Sequence, residues 1–154
     1  MDDAQTILQS QNAQQTEQIA ETLGNNLRGG EVIELISDLG GGKTTFTRGL
    51  AKGAGSEDVV SSPTFTISKV YDTATFDIHH FDFYRLPDAG LAAHELEDLV
   101  GDPAVVVVVE WGGVVGHVLP VGKVTIEITK TGEESRQQAI ACPGNLQYLL
   151  EGIQ

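Results

Sequence analysis

Residues 36–46, ISDLGGGKTTF, constrain this chain more than any other stretch. Three successive glycines followed by Lys43 and Thr44 nearly complete a phosphate-binding loop, in which Gly and four residues precede Gly-Lys-Ser/Thr. Such a loop works only between a strand and a helix, where backbone N–H groups converge on phosphate oxygens at the positive end of the helix. Glycines are needed because side chains would block that approach and because some positions require positive φ. Lys43 then supplies a point charge to the β- and γ-oxygens, and Thr44 offers a hydroxyl to Mg2+. One residue departs from the pattern: Ser37 stands where the first glycine belongs. That position is where strand gives way to loop, farther from the phosphates in sequence than Gly40, Gly41 and Gly42. Serine there is expected to tune nucleotide affinity without abolishing it.

The flanking residues supply the required strand and helix. Residues 31–36, EVIELI, read as a strand, and residues 44–54 as a helix stopped around Gly53 and Gly55. Upstream, residues 6–9 form a candidate short strand, and Asn12 with Gln15 makes a variant capping box. Ile19, Ala20, Leu23 and Leu27 then recur at helical spacing, predicting a helix over about 13–28 that ends at Gly29-Gly30. Downstream, residues 65–71 and 75–83 read as strands around the turn Asp72-Thr73-Ala74, followed by a helix over 88–99. The five valines 105–109 predict a central strand buried on both faces. Val124, Ile126 and Ile128 alternate with polar residues, and Thr131-Gly132-Glu133 turns the chain into a partner strand ending near Cys142. Asn145 is expected to cap a last short helix reaching Leu150. The predicted class is α/β: a P-loop NTPase-like mixed β-sheet flanked by helices, with a C-terminal antiparallel hairpin, in a single domain over residues 1–154.

Charge narrows the function. Nine Lys plus Arg against 22 Asp plus Glu leave a net −13, and no window of six residues holds more than two basic residues. Nucleic-acid binders neutralise phosphates with clustered basic residues, so direct RNA or DNA binding is not expected. The start, MDDAQTILQ, is acidic where a secretory signal would be basic, and the most apolar stretch carries Glu110 after a few residues, too soon for a membrane span. Cys142 is the only cysteine, so no internal disulfide forms, and a reducing, cytoplasmic location with a buried thiol is expected.

Two carboxylates stand where Mg2+ chemistry would use them. Glu110 ends the valine strand, so it emerges at the edge where ligands sit in open α/β sheets. Asp82, within His80-Phe81-Asp82-Phe83-Tyr84-Arg85, lies near the end of another strand. The alternative for each, a solvated strand-end acid, is the weaker reading. Thr64, in Ser62-Pro63-Thr64-Phe65, has the look of a switch threonine that meets Mg2+ only when a γ-phosphate is present. His79 and His80 face opposite sides of a strand, which excludes a metal pair and leaves one of them to support the site. Trp111 beside Glu110 is first a packing residue and second a reporter on the site.

In this order the motifs closely resemble the bacterial TsaE family, small P-loop ATPases of tRNA threonylcarbamoyladenosine synthesis. The resemblance runs from about Thr6 to Gly144 and rests on Asp38-Leu39-Gly40-Gly41-Gly42-Lys43-Thr44-Thr45, Ser62-Pro63-Thr64-Phe65, the His80–Arg85 run and Glu110-Trp111. It implies ATP and Mg2+ as ligands, weak turnover in isolation, and work with the partner proteins TsaB and TsaD, supporting their repeated cycles and not the transfer chemistry. It also implies nucleotide binding by Leu39 through Thr45, Mg2+ and water arranged by Thr44, Asp82 and Glu110, γ-phosphate sensing by Thr64, and a phosphate or partner contact by Arg85. Three other readings compete with it. A small-molecule kinase usually has more cations than four arginines, of which two lie near the site in sequence, and a recognisable lid. A GTP switch would carry Asn-Lys-x-Asp, which is absent. A degenerate scaffold is opposed by intact Lys43, Thr44, Asp82 and Glu110.

Overall fold

Local sequence patterns set most of the elements, and pairing between distant strands sets their order. The computed structural model describes residues 4–37, 42–60, 68–83, 90–111 and 116–153. Strands β1 (Ala4–Ser10), β2 (Val32–Ile36), β3 (Ser68–Asp72), β4 (Asp77–Asp82), β5 (Val105–Glu110), β6 (Val124–Lys130) and β7 (Arg136–Cys142) form one sheet in the order β1-β7-β6-β2-β5-β4-β3. The inner strands β6, β2, β5 and β4 run parallel, while β3 on one side and β7 and β1 on the other extend the sheet by antiparallel pairing. The mixed sheet and the β6–β7 hairpin agree with the sequence reading. The hairpin is built into the main sheet, because β6 pairs with β2.

All six residues of β5 are buried, as a strand between two layers requires. Val106 and Val108 share a core with Ile33, Leu35 and Ile126, closed by Leu23 of α1 (Ala13–Asn25) and by Phe46 and Leu50 of α2 (Lys43–Gly53). Val105, Val107 and Val109 face the other way, into a second cluster with Phe81, Phe83 and Leu96 of α3 (Leu91–Leu99). Strand β1 is longer than predicted because its whole length pairs with β7, from Ala4 opposite Cys142 to Ser10 opposite Arg136.

Helix α1 begins as predicted. Asn12 Oδ1 accepts from the Gln15 N–H at 2.9 Å, while Gln15 Oε1 reaches back to the Gln11 N–H at 2.7 Å, one residue before the usual capping-box partner. Its end is a correction: the helix stops at Asn25, ahead of Gly29-Gly30. The Asn26 side chain explains this by donating to the carbonyls of Leu149 and Glu151, a tertiary tie that local periodicity does not contain. A second correction concerns Asn145. It lies inside a 3-10 helix, Gly144–Leu150, whose first flanking residue is Pro143 and which has no side-chain cap. Beneath that helix Glu31 accepts from the N–H groups of Arg28 and Gly29, and Tyr148 Oη donates to it. Burial first, and then the Glu31 carboxylate, push the Tyr148 phenol above its ordinary range and keep it a donor. Cys142 is buried, as expected. Among the described residues no helix is long and apolar enough to cross a membrane.

Helices α1 and α2 approach backbone to backbone. A Cβ on Gly49 would stand 2.3 Å from the Glu17 carbonyl oxygen, and one on Gly53 2.0 Å from that of Glu21. This contact seats α2 on the sheet and so fixes the direction of its N-terminus. Gly49→Ala is expected to lower the unfolding free energy by about 1–3 kcal/mol, the usual range for overpacking, read from urea denaturation.

Candidate functional site

The site grows from the junction of β2 and α2 at the carboxyl ends of the parallel strands. Gly42 is the N-cap of α2 with φ 105°, a left-handed conformation that favours glycine. Ser37 needs no such freedom: among the described residues the only non-glycine with positive φ is Trp111. The first loop position therefore accepts a side chain without backbone strain. Lys43 is 7% exposed, and its Nζ donates to the Ser37 carbonyl at 3.0 Å. The same ammonium lies 4.5 Å from the centre of the Trp111 ring. Trp111, at φ 58°, follows Glu110 directly, so a strained turn at the end of β5 carries the indole to the loop lysine. Thr44 and Thr45 are half-buried in the first turn of α2.

Asp82 and Glu110 come together. They are register partners across β4 and β5, and residues so paired share a sheet face. That face is the one covered by α1 and α2, because Leu35 of β2 pairs with Glu110 and belongs to their core. Asp82 is half-buried, while Glu110 is 2% exposed. A buried carboxylate needs a partner, and Glu110 has one in the fully buried His80, whose Nε2 meets its Oε2. His80 Nδ1 is in turn 3.1 Å from Tyr71 Oη. An imidazole that accepts at Nδ1 and donates from Nε2 satisfies both bonds. The chain Tyr71–His80–Glu110 thus crosses β3, β4 and β5 and locks the carboxylate in one orientation. His79 points to the opposite face, as alternation requires, and its Nδ1 has no hydrogen-bond partner among the described residues.

Of the residues singled out by sequence, Gly42, Lys43, Thr44, Thr45, Asp82 and Glu110 lie in this region. Leu39, Gly40, Gly41, Thr64 and Arg85 lie outside the described residues. Sequence reasoning missed two participants. Tyr71 gave no signal beyond strand propensity. Arg136, far from the loop in sequence, has its Nε 3.8 Å from where a Cβ on Gly42 would stand. Among the described residues no group of three or more His, Cys, Asp or Glu could hold a metal by itself. Two carboxylates and a threonine hydroxyl suit Mg2+ instead, which commonly takes one or two carboxylates together with phosphates and waters.

Comparison with known proteins identifies the family. The family model for threonylcarbamoyl adenosine biosynthesis protein TsaE matches residues 10–138. The chain belongs to the TsaE family. Among its curated relatives, the tRNA threonylcarbamoyladenosine biosynthesis protein TsaE of Bacillus subtilis is 36% identical over 143 residues, covering 90% of this chain and 87% of that protein. The TsaE protein of Treponema pallidum is 34% identical, over 86% of this chain and 97% of its own length. A crystal structure of YdiB from Bacillus subtilis superposes with a TM-score of 0.79 at 32% identity, covering 98% of this chain and 95% of that one. The TsaE match includes the loop, Asp82 and Glu110, and extends into β7 as far as Gln138.

Proposed function

We propose that this TsaE-family protein binds ATP with Mg2+ and hydrolyses it to ADP and phosphate in tRNA threonylcarbamoyladenosine biosynthesis, supporting turnover of the TsaB–TsaD pair. The observation that carries the reading is the juxtaposition of the Gly42-Lys43-Thr44 helix start with two carboxylates that share one sheet face. In this reading the loop from Leu39 to Thr45 cradles the phosphates. Lys43 leaves the Ser37 carbonyl for the β- and γ-oxygens, and Thr44 and Asp82 would hold Mg2+, which when bound neutralises charge developing on the phosphates. Glu110, oriented by His80, positions the attacking water. Its burial suits that role better than metal shell chemistry, where the half-buried Asp82 has more room for water. Thr64 as γ-phosphate sensor and Arg85 as phosphate or partner contact rest on the family resemblance.

The reading is tested by calorimetric titration of Mg-ATP, with Mg-GTP as control, into the protein with and without TsaB and TsaD, followed by product analysis. ATP-selective binding that tightens with the partners, and release of free phosphate, are expected. A phosphorylated metabolite would make the protein a kinase. No binding under either condition would make it a scaffold. In the same titration Ser37→Gly should tighten Mg-ATP binding about threefold, a change of less than 1 kcal/mol. An unchanged affinity would mean that Ser37 tunes nothing.

A further inference from the structure

The nucleotide loop has a second cation beside it. β7 runs antiparallel to β6, and β6 runs parallel to β2, so the first residue of β7 lies at the same end of the sheet as the last of β2. Arg136 is that first residue, and it shares a sheet face with Gln138 and Ile140, the face on which α1 and α2 pack. Its Nε lies 3.8 Å from the position of a Cβ on Gly42. The guanidinium is held in place by its own turn: Nη1 donates to the carbonyls of Ser135 at 2.8 Å and of Gly132 and Glu133 at 3.3 Å. A planar fork fixed in this way loses little freedom when it meets an oxyanion.

We propose that Arg136 is a nucleotide-binding residue that contacts the α-phosphate of the bound nucleotide; the inference rests on the ATP reading given above. The sheet supplies the direction. Asp82 and Glu110 stand on β4 and β5, on one side of β2, whereas β6 and β7 lie on the other. Terminal phosphates and Mg2+ belong on the side of the acids, so the nucleotide extends from there across Gly42 and Lys43 toward the β6–β7 turn. The phosphate nearest the nucleoside is the one that comes to Arg136. The charges agree. Of only nine basic residues in a chain of net −13, two, Lys43 and Arg136, stand at the N-terminus of α2, the end at which the helix dipole favours an anion. Every adenosine di- or triphosphate carries the α-phosphate, so this contact adds affinity for ATP and ADP alike and leaves the hydrolytic step alone.

The test is calorimetric titration of Mg-ATP and Mg-ADP into the wild-type protein and the Arg136→Ala, Arg136→Lys and Arg136→Gln variants, with turnover measured at saturating ATP. Arg136→Ala should weaken both nucleotides by the same factor, about 10-fold, the size expected for one charge-assisted hydrogen bond, with turnover at saturation within about twofold of wild type. Arg136→Lys keeps the cation and should recover part of the affinity. Arg136→Gln keeps donors for the turn carbonyls without the charge and should recover none; it also carries the test if the alanine variant fails to fold. Wild-type affinity in the glutamine variant would make Arg136 a turn brace and overturn the proposal. So would a loss confined to ATP, which would move the contact to the γ-phosphate. If the wild-type protein binds neither nucleotide, the ATP reading itself fails and the proposal with it. Wild-type binding with unaffected variants sinks the Arg136 assignment alone.

Discussion

Glu110→Gln should slow ATP turnover about 100-fold or more while changing Mg-ATP affinity less than about threefold, the pattern of a group that acts on the attacking water. Glutamine suits the test because it keeps the shape of the side chain and can still pair with His80 Nε2, so the buried chain from Tyr71 stays satisfied. Alanine would be a poorer probe. It would leave the fully buried His80 without its partner and open a cavity beside it, mixing a loss of stability with a loss of chemistry. The measurement is phosphate release at saturating ATP in the presence of TsaB and TsaD, paired with calorimetric affinity. If Glu110→Gln instead lost affinity and kept its turnover, Glu110 would be a Mg2+ ligand, and the role of orienting water would pass to Asp82.

The parts of this site that were legible in the sequence are those whose constraints are local. The strand before the glycines and the helix after Lys-Thr follow from local spacing, and β2 and α2 stand where they were expected, with Gly42 in the left-handed conformation. The five valines required burial on two faces, and β5 has it. Asp82 and Glu110 could each be located at the end of a strand, but their pairing depends on the register between β4 and β5, which is set by packing across the sheet. The same reason hid Tyr71 and Arg136. Tyr71 meets His80 only because β3 folds back beside β4, and Arg136 meets Gly42 only because β6 joins β2 in parallel. The misjudged end of α1 has a similar source: the Asn26 amide is bound by carbonyls from the last residues of the chain. Arginine proximity judged along the sequence passed over Arg136, which the structure brings beside Gly42.

Lys43→Ala should have the opposite signature to Glu110→Gln: Mg-ATP affinity falls about 100-fold or more, from the loss of charge-assisted hydrogen bonds each contributing about 1.5–3 kcal/mol. Its Nζ donates to the Ser37 carbonyl, and its ammonium packs against the Trp111 ring, a contact contributing about 0.5–2 kcal/mol. A nucleotide competes for such a lysine because phosphate oxygens carry a negative charge that a carbonyl oxygen and an indole face lack. The exchange also has an optical signal. Trp111 is the only tryptophan in the chain, so moving the ammonium off its ring as ATP binds should change the intrinsic fluorescence of the wild-type protein. The alanine variant, lacking the ammonium, should begin with altered emission and respond weakly to ATP. Calorimetry and fluorescence on Lys43→Ala, Glu110→Gln and Asp82→Asn together separate the roles. Affinity lost most in the first, and turnover lost with affinity kept in the second, assign binding to the lysine and the attacking water to Glu110. Equal loss of affinity in all three would mean that the acids bind the nucleotide as strongly as the loop does, and the division of labour between loop and sheet edge would be wrong.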